Sequence, residues 1–149
     1  MDSRLDQIKA KRKAGKKIIL LIDDVNVITE ILKSELDSVM SDHFHIETYT
    51  NSISAFRHIK EVEPVLVISD IIMPDIDGLK IEKLCNKMGI PCLLMTGANI
   101  TNRPYIPKPI HMDVLVHKIS RLVDIDQIET TEYEYIEFLE YLRKRLENW

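Results

Sequence analysis

Short runs of apolar, β-branched residues alternate along this chain with stretches in which apolar positions recur every three or four residues. The runs lie near 17–23, 44–49, 65–69, 91–95 and 104–107, and predict strands. Between them Ile28, Ile31, Leu32, Leu36 and Val39 keep helical spacing, as do Ile53, Phe56, Ile59 and Val62, and then Leu79, Ile81, Leu84 and Met88. Leu115, Ile119 and Leu122 repeat it after the last run. Strand and helix in strict alternation are the signature of βαβ units, so the pattern predicts an α/β fold with a doubly wound, five-stranded parallel sheet. Ligands of such open sheets bind beyond the carboxyl ends of the strands, where strand order reverses.

Two of the runs end in acids: Lys17-Ile-Ile-Leu-Leu-Ile-Asp23-Asp24 and Pro64-Val-Leu-Val-Ile-Ser-Asp70. If both are parallel strands, three carboxylates collect at one sheet edge. Two unit charges about 4 Å apart repel by roughly 4 kcal/mol at an effective dielectric near 20. A divalent cation resolves that repulsion, and carboxylates with retained waters suit Mg²⁺, which is held by a few acids plus phosphate oxygens. The expectation is a phosphate-handling site.

The flanks differ in character. Residues 1–16 are polar and carry Lys9, Lys11, Arg12, Lys13 and Lys16, so they are expected to form a basic N-terminal extension outside the core of a domain at 17–123. Residues 124–149 place Ile125, Ile128, Tyr135, Phe138, Leu139, Leu142, Leu146 and Trp149 among many glutamates, which predicts an extra C-terminal amphipathic helix. It is expected to cover the domain, to pair with its copy in a homodimer, or to dock on another protein. Glu129, Glu132, Glu134, Glu137 and Glu140 are expected to face the basic N-terminal group.

At 149 residues the chain fits one domain with appendages. A net charge of -4 argues against nucleic acid as the main partner, and the C-terminal segment is too short for a winged-helix output domain, so direct DNA binding is not expected. Cys85 and Cys92 match no pairing or zinc motif and are expected to be reduced core thiols. His43 and His45 share one face of a strand without a third ligand and are expected at the surface. No apolar stretch approaches the roughly 20 residues needed to span a bilayer, so no membrane insertion and a cytoplasmic location are expected.

The ordered pieces Asp23-Asp24, Asp70-Ile-Ile-Met-Pro74-Asp-Ile-Asp77-Gly78, Met95-Thr96-Gly97 and Lys108-Pro109 resemble the receiver domain of two-component response regulators over about residues 17–123. The resemblance implies a flavodoxin-like strand order 2-1-3-4-5. It implies that Asp70 accepts a phosphoryl group from a histidine kinase or a histidine phosphotransfer protein, its carboxylate acting as nucleophile. It also implies Mg²⁺ held by Asp24, Asp70 and the backbone carbonyl of Ile72, with Asp23 acting mainly through a coordinated water. Phosphoryl transfer needs positioning and charge stabilisation, roles that fall to Lys108 as cation and Thr96 as hydroxyl donor. Thr96 and Tyr105 form the implied switch pair, and the Lys108–Pro109 bond is implied to be cis. The implied protein is a phosphoacceptor rather than an enzyme, signalling to a downstream protein in a phosphorelay.

Two departures stand out. Residues 97–107 leave little room for the helix that receivers place between the fourth and fifth strands, so that helix is expected to be shortened or missing. Ile72 and Ala98 occupy positions where other receivers orient an attacking water, and neither can, which predicts slow self-dephosphorylation. Competing functions are an unphosphorylated pseudo-receiver scaffold and a haloacid-dehalogenase-like phosphatase built on Asp75-Ile-Asp77-Gly78. Pro74 and Gly78 are expected to bracket the turn after the third strand, with Gly78 supplying a positive φ.

Overall fold

The structure, a computed structural model, describes residues 3–40, 42–97 and 103–123. In chain order the elements are α1 (Ser3–Lys13), β1 (Lys17–Ile22), α2 (Asn26–Met40), β2 (Phe44–Tyr49), α3 (Ser52–Val62), β3 (Leu66–Asp70), α4 (Gly78–Met88), β4 (Cys92–Thr96), β5 (Tyr105–Pro107) and α5 (Met112–Leu122). All five strands are parallel and lie in the order β2-β1-β3-β4-β5. Every strand falls within one residue of the expected run.

Alternation along the strands builds two cores. Ile19, Leu21, Ile46, Ile68, Leu93 and Met95 meet Leu32, Leu36 and Val39 of α2 and Leu115, Val116 and Ile119 of α5. On the opposite face Ile18, Leu20, Ile22, Val67 and Leu94 meet Ile59 and Val62 of α3 and Ile81 and Cys85 of α4. The continuous apolar text of β1 follows from burial on both faces. Cys85 and Cys92 are free thiols inside the second core.

Two expectations are corrected. Residues 1–16 are not outside the core: Ser3–Lys13 form α1, and Leu5 and Ile8 are buried in the second core. Only two apolar residues anchor this helix, too few for periodicity to reveal it. Its cations Arg4, Lys9 and Arg12 pair with Glu47, Glu61 and Glu63 at 2.9, 2.9 and 3.2 Å. The helical spacing from Ile28 to Val39 corresponds to α2, of which Ile28 and Ile31 stay 39% and 51% exposed at the end nearest the acids. The second correction is Gly78, which does not supply a positive φ; in that turn Asp75 does, at 69°.

The glutamates and apolar stripe of the expected C-terminal helix lie outside the described residues. So do residues 98–102 of the β4–β5 connection, in which Arg103 and Pro104 are not helical. Among the described residues no helix is long and apolar enough to cross a membrane.

Candidate functional site

Asp23 and Asp24 directly follow β1, and Asp70 is the last residue of the neighbouring β3, where Ile22 pairs with Ser69. The sheet thus brings the three carboxylates together, with one oxygen of each within 4.8 Å of the others. Thr96 ends β4 beside them and is buried; Lys108 follows β5. The Lys108 N–H donates to the Thr96 carbonyl at 2.9 Å, which fixes the lysine at the same edge. Its Nζ then lies 3.0 Å from Asp70 Oδ1. The Lys108–Pro109 bond is cis, as expected.

The three acids are not equivalent. Asp24 is exposed, whereas Asp23 and Asp70 are buried at 1% and 9% exposure. Asp70 Oδ1 accepts from the Ile71 N–H at 2.9 Å, and Asp23 Oδ1 accepts from Val25 N–H at 3.0 Å. Asp23 Oδ2 is buried without a hydrogen-bond partner. Burial pushes the Asp23 carboxyl above its ordinary value; the Val25 N–H opposes this, Asp70 adds to it, Lys108 opposes it and Asp24 adds a little more. An unsatisfied buried acceptor costs about 1–3 kcal/mol. The orphaned oxygen, the like charges around it and an all-oxygen donor set fit a hard divalent cation such as Mg²⁺.

The β3–α4 turn is held from two sides. Ser52 at the start of α3 donates its hydroxyl to the Pro74 carbonyl at 2.7 Å and accepts from Ile76 N–H at 3.2 Å. On the other side, Gly78 N–H donates to the Ile71 carbonyl at 2.8 Å. A Cβ on Gly78 would sit 2.2 Å from the Asp70 carbonyl oxygen, so the glycine is required by close approach. Asp77 caps α4, accepting from Lys80 N–H at 2.9 Å. Asp75 is exposed, and neither acid belongs to the three-carboxylate cluster, which removes the geometric basis for a phosphatase nucleophile there.

A family model described as the response regulator receiver domain matches residues 19–120. The chain belongs to the response-regulator receiver family. Among curated relatives, this receiver is 25% identical over 119 residues to the response regulator receiver protein CpdR of Brucella abortus, covering 72% of this chain and 97% of that one. It is 26% identical over 126 residues to the probable transcriptional regulator ycf29 of Porphyra purpurea, of which it spans only 59%. Among solved structures, the response regulator TrrA of Thermotoga maritima, in complex with Mg²⁺-BeF, is 29% identical with a TM-score of 0.62, covering 71% of this chain and 98% of that one. The chemotaxis protein CheY4 of Vibrio cholerae shares the fold at 18% identity and a TM-score of 0.62, covering 72% of this chain and 98% of that one.

Of the remaining residues singled out in the sequence, Ile72 lies in the turn two residues beyond Asp70 with its side chain 84% exposed. Ala98 lies outside the described residues. Tyr105 opens β5, is partly buried, and has Lys118 Nζ 5.3 Å from its ring centroid. Ser52 was not legible as a site residue, because its contacts lie 22 and 24 positions away.

Proposed function

We propose that this receiver accepts a phosphoryl group on Asp70 from a phosphohistidine on a partner protein and signals by protein contacts. The observation that carries it is the buried, unpartnered Asp23 Oδ2 in a cluster with Asp24 and Asp70, whose Asp70 is already held by Lys108. A retained fold alone would not require that cluster, and its completeness favours a working phosphoacceptor over an unphosphorylated scaffold.

Asp23, Asp24 and Asp70, with the Ile72 carbonyl, would hold Mg²⁺, Asp23 acting mainly through a coordinated water. When bound, the cation supplies charge neutralisation for the acids and for the incoming phosphoryl oxygens. Asp70 then acts as nucleophile through its carboxylate. The new O–P bond forms as the P–N bond to the donor histidine breaks, leaving an acyl phosphate, and Lys108, 3.0 Å from that carboxylate, turns to the added phosphoryl oxygens. The Thr96 hydroxyl donates to the same group, and Tyr105 leaves Lys118 to follow the space Thr96 vacates. TrrA, solved in complex with Mg²⁺-BeF, is a relative whose complex supports this magnesium-dependent reading.

The surroundings suit a protein donor. Val25, Val27, Ile28, Ile31 and Ile72 remain exposed beside the acids. A groove of about 270 Å³ runs between Ile28, Ile31 and Leu32 of α2 and Lys108, Pro109 and Ile110. Apolar side chains around a reactive carboxylate are an interaction surface rather than a small-molecule pocket. With Ile72 unable to orient water, the phosphorylated form is expected to be long-lived.

The test is incubation with acetyl phosphate, with and without Mg²⁺, followed by intact mass and amide NMR of wild type and Asp70→Asn. Phosphoryl incorporation that needs both Mg²⁺ and Asp70 is expected. Incorporation unaffected by Asp70→Asn, or none under any condition, would overturn it.

A further inference from the structure

α5 ends at Leu122, and the next residue does not prolong it: Val123 is extended, at φ -91° and ψ 107°, with its side chain buried. Residues 124–149 therefore set out beside a groove of about 130 Å³ between α5 and the outermost strand β5. Its walls are Leu93, Pro104, Tyr105, Lys118, Arg121 and Leu122. Apolar side chains and two cations of α5 share this groove. Among the described residues neither Lys118 nor Arg121 has an acidic partner. Lys118 Nζ lies 5.3 Å from the Tyr105 ring centroid, a contact that leaves its N–H donors for a carboxylate.

The segment that starts here matches the groove in charge and in pattern. Residues 124–140 carry Asp124, Asp126, Glu129, Glu132, Glu134, Glu137 and Glu140 and no Lys or Arg. Three cations of α1 that such acids might otherwise meet, Arg4, Lys9 and Arg12, are already paired with Glu47, Glu61 and Glu63. Positions 125, 128, 132, 135, 139, 142, 146 and 149 form an apolar stripe with one interruption, Glu132. A parallel pair of copies would set Glu132 against Glu132.

We propose that residues 128–138 form a helix that folds back along α5 of the same chain and closes this groove, with Glu132 on Lys118 and Glu129 on Arg121. A connection of residues 123–127 has the usual length between antiparallel helices. It aligns 128 with 122 and 138 with 112, and the rest of the register follows by counting. Ile128 then meets Leu122, Glu129 meets Arg121, Glu132 meets Lys118, and Ile136 meets Val114, which is 37% exposed. The acid that interrupts the stripe thus falls on a cation. Because Tyr105 is one wall of the groove, an outside protein that reads this ring has to displace the segment.

The test uses the full chain, treated with a zero-length carbodiimide and read by peptide mass spectrometry. Isotope-labelled and unlabelled chains are mixed, so that links within a chain are told from links between chains. A Lys118–Glu132 link within one chain is expected. A loose tether gives such a link too, so amide exchange over 128–138 is measured alongside, and is expected to be slower than intrinsic rates by about tenfold or more. Lys118→Glu turns the attraction into repulsion and is expected to speed that exchange by about fivefold; adding Glu132→Lys is expected to return it to within about twofold of wild type. Slow exchange at Leu21 and Ile68, buried in the central strands, reports an intact sheet. Where a variant loses it, Arg121→Glu with Glu129→Lys repeats the swap at the second contact. Unprotected amides over 128–138, links between chains, links from Glu129 and Glu132 to Lys9 or Lys11 in place of Lys118, or a swap that leaves exchange fast would overturn the proposal.

Discussion

Asp23 is the residue at which folding and chemistry conflict most directly. Its buried Oδ2 has no partner, and burial above all, then the charges of Asp70 and Asp24, raise its carboxyl above the ordinary value. Removing the charge relieves both that burial and that repulsion, so Asp23→Asn is expected to raise the unfolding free energy in metal-free buffer by on the order of 1 kcal/mol, read as a higher urea midpoint, while abolishing any rise on adding Mg²⁺. A variant less stable than wild type without metal would show that the charge is not a cost. Gly78→Ala should act in the opposite sense. A Cβ there meets the Asp70 carbonyl oxygen at 2.2 Å and the Ile71 Cα at 2.8 Å, both rigid backbone. Overpacking of this kind costs about 1–3 kcal/mol, and because the displaced atom belongs to Asp70, Mg²⁺ titration should show weakened binding as well. The acids were legible because a charge at the end of an apolar run has few structural uses. The reason for Gly78 was not, since close approach between two backbones leaves no local mark, and the left-handed conformation fell instead to Asp75.

At the scale of elements, strands and long helices were legible because each carries enough apolar residues for its period to show. α1 carries two buried ones, and its attachment depends on residues distant in sequence: Glu47 on β2, and Glu61 and Glu63 at the end of α3. Glu47 makes that attachment pH-dependent. Burial alone would push its carboxyl up, but the hydrogen bond with His45 at 2.8 Å and the charge of Arg4 outweigh it and hold the group below its ordinary value of 4.5. A carboxylate depressed in the folded state contributes stability that is fully present above about 4.5, its unfolded value, and lost as pH falls through the lower folded value. Protection of the α1 amides, taken relative to their intrinsic rates at each pH, should therefore fall in wild type on acidification below that point, and should be lower and flatter with pH in Glu47→Gln. The β3–α4 turn depends on α3 in the same non-local way. Ser52→Ala leaves the Pro74 carbonyl and Ile76 N–H without their partner and should cost about 1–3 kcal/mol in denaturant unfolding.

For the whole molecule, the consequence of placing the acids at the ends of β1 and β3 is that a bound cation would join residues 47 positions apart, counted from Asp23 to Asp70. Such a link is broken only when the sheet itself opens, so Mg²⁺ should stabilise global unfolding and leave local openings alone. At a free Mg²⁺ concentration 100 times its Kd, linkage gives about 2.7 kcal/mol, and at about 2–4 °C per kcal/mol for a chain of this size that is a rise of roughly 5–11 °C in Tm. Hydrogen exchange separates the two kinds of opening. Amides of Leu21 and Ile68, buried in the central strands, exchange only through the global transition and should slow by about 100-fold, the same 2.7 kcal/mol. Amides of α1, which is attached by two apolar side chains and partly exposed ion pairs, open without disturbing β1 or β3 and should keep their rates. If α1 slowed in step with Leu21, the helix would be part of the cooperative unit that carries the acids, and release of α1 from an otherwise intact sheet would not occur.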